Sequence, residues 1–193
     1  MKTGQVFKIF AVLLCAILIL QPAASASLFA KDVRIVNMAA IKNPDDLMLS
    51  FKVEGAFREN LEQAVLSGAL TTFSFCIIIS ESRGVLANKK VLQINLTNTI
   101  KYNNLKNDFT VNRSWEDNKP QVTESFEQAK QWMSEITNLK LMPLSHLQKD
   151  VDYQIKVKAE LDNVTLPLVF NYIFFFFSLW DFETNWQTIR FVY

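Results

Sequence analysis

Ser145, His146, Asp150 and Asp152 fall within eight residues and bring together a hydroxyl, an imidazole and two carboxylates, the raw materials of a nucleophile and its base. A hydrolytic site needs the base within hydrogen-bond reach of the nucleophile and a third group that holds it. Neighbours in a turn just after Pro143 do not meet that geometry, so no catalytic residue is assigned. Asp45-Asp46 and Asp150/Asp152 are hard-cation donors by type. A calcium loop asks for more oxygens and a turn glycine, and none is near, so these read as solvated turn acids. His146 is the one histidine, which excludes a multi-histidine metal site. Gly4, Gly55, Gly68 and Gly84 are too scattered for a phosphate loop or a dinucleotide fingerprint, so neither a metal nor a cofactor is expected. The chain reads as a non-enzyme. With 20 basic and 19 acidic residues the net charge is +1, which leaves no electrostatic footprint for nucleic acid or an anionic membrane surface.

Cysteine chemistry depends on where the chain goes. Lys2 and Lys8 give a positive start, Ile9 to Leu20 is an unbroken apolar stretch of 12, and Gln21-Pro22 precedes Ala24-Ser25-Ala26, an A-x-A site. Residues 1–26 thus read as a secretory signal peptide cleaved after Ala26, since the stretch is shorter than the roughly 20 residues of a spanning helix. An uncleaved segment anchoring the chain to the inner membrane is the alternative. Cys15 follows Leu14 inside the apolar stretch and reads as signal filler rather than a lipid-attachment site. Residues 27–193 then form a single domain of 167 residues with 18 basic and 19 acidic residues. A domain of that size buries about 70% of its unfolded surface without disulfides. Cys76 is its only thiol, and within Phe73-Ser-Phe-Cys-Ile-Ile-Ile79 it reads as a buried core residue.

The elements that must position these residues are mostly strands. Leu47, Leu49, Phe51 and Val53 alternate with Met48, Ser50 and Lys52. The period of two returns at Leu92 to Tyr102 and at Ile155 to Leu161, which implies an antiparallel sheet with one wet face. Thr71 to Ile79 is apolar or small on both faces and suits a strand covered on both sides. Val33–Val36 and Trp186–Tyr193 are expected as flanking strands. Two stretches keep helical spacing instead. Arg58 to Ser67 stops at Gly68, a C′ glycine. Residues 125–136 place Phe126, Ala129, Met133 and Ile136 on one stripe behind Ser125 and Gln128, a capping box. The polar stretch Asn103 to Pro120 reads as a hairpin or exposed loops around a short strand at Phe109 to Val111. The fold class is therefore mainly β (α+β by count): an antiparallel β-sandwich, the immunoglobulin-like arrangement being one form of it, with two peripheral amphipathic helices.

Val164 to Trp186 stands apart, with nine aromatics in 23 residues. Pro167 and Asn171 interrupt it and Asp181 and Glu183 close it, which argues against a spanning helix. A buried strand is one reading. The other is an exposed surface for a protein partner or lipid, made by Tyr172, Phe174, Phe176, Trp180, Phe182 and Trp186. The aromatic C-terminal strand Ile189-Arg-Phe191-Val-Tyr193 has the look of an outer-membrane barrel end, but two helical segments do not fit such a barrel. Asn95-Leu-Thr97, Asn112-Arg-Ser114 and Asn163-Val-Thr165 match the glycosylation acceptor pattern, which is too short and common to carry function.

The exported leader, the Val33-Arg-Ile strand, Leu61-Glu-Gln-Ala-Val-Leu-Ser-Gly68 before an apolar strand, Ser125-Phe-Glu-Gln-Ala129, Leu161 with Leu166-Pro167, and Ser178-Leu-Trp-Asp-Phe182 with Trp186 follow one another in a distinctive order. In that order the chain resembles the bacterial domain of unknown function numbered 4390, over nearly all of residues 27–193. The turn Ser80-Glu-Ser-Arg-Gly84 is less aromatic than is usual in that family. The resemblance implies an uncharacterised exported bacterial protein of the periplasm or cell envelope, with no catalytic residues to carry over. It also implies an envelope protein partner linked, by genomic neighbourhood, to a membrane sensor kinase. The expected function is a protein-interaction or binding module, with a carrier of a lipid or other apolar ligand as the alternative.

Overall fold

The structure, a computed structural model, describes residues 33–84, 87–116, 119–165 and 182–193, with the backbone alone at 163–165; all of them belong to one compact unit, Asp32–Tyr193. The alternation at 47–53 forms strand β2 (Asp46–Glu54), with Leu47, Leu49, Phe51 and Val53 all buried. It is the middle of a three-stranded antiparallel sheet, between β1 (Arg34–Lys42) and β7 (Glu135–Pro143). A six-stranded antiparallel sheet faces it. Its order is β6 (Gln121–Thr123), β5 (Asp108–Arg113), β4 (Lys89–Asn103), β3 (Leu70–Glu81), β8 (Asp152–Thr165) and β9 (Gln187–Val192). The inward rows of both sheets merge into one core, and Phe51 meets Phe75 edge-on at 5.7 Å across the interface. The chain is thus mainly β and sandwich-like.

The helices are α1 (Glu59–Leu66) and α2 (Phe126–Ser134). Helix α1 buries Leu61, Ala64 and Val65, and the chain leaves it through Gly68 at φ +87°, the left-handed conformation that glycine takes without strain. Helix α2 starts as its sequence suggests, with Ser125 Oγ accepting from Gln128 N at 3.3 Å. The Gln128 side chain does not reach back, however. It accepts from Thr123 Oγ1 at 2.6 Å, so half of the capping box forms. Lys130 ties the two helices together by pairing with Glu62 at 2.7 Å, and also with Glu127 at 2.6 Å. Burial works against the Lys130 charge, but its hydrogen bonds to Glu127 and Glu62 outweigh that and hold its pKa above the ordinary lysine value.

Three expectations need correction. The stripe at 125–136 is not one helix: α2 ends at Ser134 and Ile136 already belongs to β7. The helix end is capped from outside, because the buried Asn98 of β4 donates through Nδ2 to the carbonyls of Met133 (3.0 Å) and Trp132 (3.4 Å). The strand β3 is not covered on both sides. Phe73, Phe75, Ile77 and Ile79 are buried, whereas Thr72, Ser74, Cys76 and Ile78 are half-buried and face outward. Cys76, expected in the core, therefore lies on the outer face of the sheet. Its neighbours mislead because a central strand can carry small and apolar residues outward when β4 and β8 flank it closely.

Candidate functional site

The outer face of the six-stranded sheet carries a trough of about 410 Å³. Register places its residues in rows. Cys76 of β3 pairs with Asn95 of β4 on one side and Lys158 of β8 on the other, and Ser74 pairs in the same way with Thr97 and Glu160. Because side chains alternate along each strand, all six point to the same face. Trp186 completes the trough from the returning chain just before β9, and its ring lies 6.0 Å from Lys158 Nζ.

Charge within the trough is fixed by neighbours. Lys158 is paired with Glu183 and lies 3.8 Å from Glu160. The hydrogen bond to Glu183 holds its pKa above the ordinary lysine value, against a smaller opposing effect of desolvation. The Cys76 thiol is pushed up, first by burial and then by the Glu160 carboxylate, with Lys158 acting in the opposite direction. Gln93 Nε2 donates to its sulfur at 3.7 Å. A thiol whose pKa is raised in this way is a weak nucleophile near neutral pH. What the trough offers is recognition: a cation, amide and hydroxyl groups, and an aromatic plane 44% exposed.

Of the aromatics anticipated as a surface, Tyr172, Phe174, Phe176 and Trp180 lie outside the described residues. Phe182 is not surface. It is 8% exposed and stands edge-on against Phe73 with ring centroids 5.0 Å apart. Backbone bonds dock this stretch on β8: Leu161 N donates to Phe182 O at 2.9 Å, Thr184 N to Ala159 O at 2.9 Å, and Ala159 N to Thr184 Oγ1 at 2.9 Å. The chain thus runs beside β8 from Phe182 onward. Phe182 and Thr184 both turn inward, but between the Glu160–Glu183 bridge and the Val157–Gln187 pair the returning chain has one residue more than β8, and this shift breaks the alternation and leaves Trp186 outside.

The residues considered for catalysis and metal binding are dispersed. Ser145 and His146 are exposed on a 3-10 turn, Leu144–His146. Asp150 sits at φ 59° and its backbone N donates to Tyr193 O. Asp46 pairs with Lys140 at 2.8 Å. Among the described residues, no group of three or more histidine, cysteine or acidic side chains could hold a metal ion, and no helix is long and apolar enough to cross a membrane.

A second, more open cleft of about 520 Å³ was not anticipated; Arg113, Gln121, Gln131, Trp132 and Glu135 line it. It lies where β5 and β6 meet α2 and the start of β7. Glu135 is engaged there by Lys52 at 2.7 Å and by Gln131 Nε2 at 2.8 Å, and those bonds hold its pKa below the usual carboxylate range. No motif marks this cleft, because its residues come from four elements that only the fold assembles.

The family model described as Domain of unknown function (DUF4390) matches residues 30–190, a span that runs from the approach to β1 to within β9 and includes every residue of the trough. The chain belongs to this family. No curated protein and no solved structure matches it. Within the DUF4390 match, Ser80-Glu-Ser-Arg-Gly84 at the end of β3 is a charged turn, with Arg83 Nε paired to Glu81 at 3.1 Å.

Proposed function

We propose that this DUF4390 chain is exported across the bacterial inner membrane and serves in the periplasm or cell envelope as a non-enzymatic module that binds a protein partner through the Trp186 trough. One observation carries the reading: Trp186 is 44% exposed at the edge of a trough that also presents Lys158, while Phe182, four residues earlier, is core. Large aromatics left at the surface beside a cation are characteristic of contact residues, since tryptophan is enriched among the few side chains that dominate interface energies. Asn95, Thr97 and Ser74 add donors and acceptors that a polypeptide partner can pair. The leader at residues 1–26 supports export.

The test is capture of partners from envelope extracts by the tagged protein and by Trp186→Ser and Lys158→Gln. Both variants should lose the captured protein while their unfolding curves match that of the unchanged protein. Undiminished capture by both variants would refute the assignment of this face.

A further inference from the structure

Leu105 is 96% exposed, and no other large apolar side chain described is as open. It sits at the tip of the turn between β4 and β5, and that turn is built rather than loose. Asn103 Oδ1 accepts from Leu105 N at 3.1 Å and from Lys106 N at 3.3 Å. Asn107 N donates to Asn103 O at 2.8 Å, Asn107 takes φ 55°, and Tyr102 OH donates to Asn107 Oδ1 at 3.1 Å. The backbone is thus held in one shape that presents a leucine to solvent. Exposed leucines are ordinary singly, but this one has company. The turn after α1 packs beside it: a side-chain carbon at Gly68 would stand 3.6 Å from Tyr102 O and 3.9 Å from Asn104 Nδ2. Leu66 and Leu70 flank Gly68, 37% and 40% exposed. Leu70 also pairs with Thr165 of β8, which places it at the same end of the six-stranded sheet.

We propose that this end of the sandwich docks on a lipid surface, Leu105 entering the acyl layer with Leu66 and Leu70 at its boundary. A lipid layer suits a protruding tip, because it closes around a side chain that a flat protein face would have to accommodate with a preformed pocket. Lys106 follows Leu105 directly and Lys101 is exposed on β4; both have stems long enough to keep the ammonium group among phosphates while the leucine goes deeper. Asp108 closes the same turn opposite Asn103 and offsets part of this charge, so apolar insertion drives the contact.

The full chain carries the apolar stretch Ile9 to Leu20, which can itself hold the protein on vesicles, so the readout must be local. Leu105→Trp and the unchanged protein are compared on phosphatidylcholine–phosphatidylglycerol vesicles, and the difference in tryptophan emission reports position 105 alone. That difference emission should move to the blue, fall when brominated lipids replace ordinary ones, and persist at about 1 M salt, where the Debye length is about 3 Å. Leu105→Asp should lower vesicle partitioning of the chain by about tenfold wherever the tip contributes to it. A difference spectrum that stays that of a water-exposed indole, insensitive to brominated lipid, overturns the proposal. So does a blue shift that requires an added envelope protein and no lipid.

Discussion

Replacing Phe182 and Trp186 by alanine, one at a time, separates core from surface within a single aromatic stretch. Phe182 is 8% exposed and contacts Phe73, itself 0% exposed, at 5.0 Å with planes 88° apart. Removing a buried phenylalanine costs about 3–5 kcal/mol, and a position at the rim of the core belongs at the low end, about 3 kcal/mol. That is a large part of a total stability of about 5–15 kcal/mol. In a domain of this size each kcal/mol moves the melting temperature by about 2–4 °C, so Phe182→Ala should melt about 6–12 °C lower. Trp186, 44% exposed, loses mainly surface contacts, and Trp186→Ala should stay within about 1 kcal/mol. Urea unfolding followed by far-ultraviolet circular dichroism measures both without relying on tryptophan emission. The reasoning fails if Phe182→Ala leaves the midpoint unchanged, or if Trp186→Ala destabilises as much as Phe182→Ala.

Asn98→Ala strips the donor from the carbonyls of Met133 and Trp132 at the end of α2 and should cost about 1–3 kcal/mol, with faster amide exchange in α2 and the start of β7; equal protection in both proteins would contradict the capping role. Glu135 has its pKa lowered by its bonds to Lys52 and Gln131, so its stabilisation is present in full above the ordinary carboxylate range and is lost as pH falls through its lowered value. Glu135→Gln should therefore be less stable than the unchanged protein near neutrality and converge with it in acid, which a pH series of urea midpoints reads; parallel curves would sink the claim. Cys76, its thiol raised by burial and by Glu160, should alkylate more slowly than free cysteine at neutral pH, and Glu160→Gln should speed it. Mass spectrometry of the Cys76 peptide measures the rate, and a thiol faster than free cysteine would contradict the electrostatics drawn for the trough.

The strands with clean alternation were legible in the sequence, because a period of two leaves a direct mark wherever one face is wet and the other buried. Leu47 to Val53 and Ile155 to Leu161 are such cases. The strand β7 was not, and the reason is local. Asn138 takes φ 53°, a bulge that breaks the alternation, so Ile136, Leu139, Leu141 and Met142 bury at irregular spacing. The abrupt passage from α2 into β7 was equally hidden, since the cap comes from Asn98, 35 residues away from Met133. The trough residues Cys76, Asn95 and Lys158 are far apart along the chain and become neighbours only through register. Phe182 and Trp186 look alike in composition, and their opposite fates follow from how the chain pairs beside β8.

The central claim, that the Trp186 trough is the contact surface, is tested most directly by photocrosslinking in living cells. A benzophenone amino acid is placed at 186, at 95, or at the exposed Lys140 position of the smaller sheet. One discrete protein adduct from positions 186 and 95, absent from position 140, is the predicted result. No adduct from either trough position, or the same adduct from all three, would contradict it.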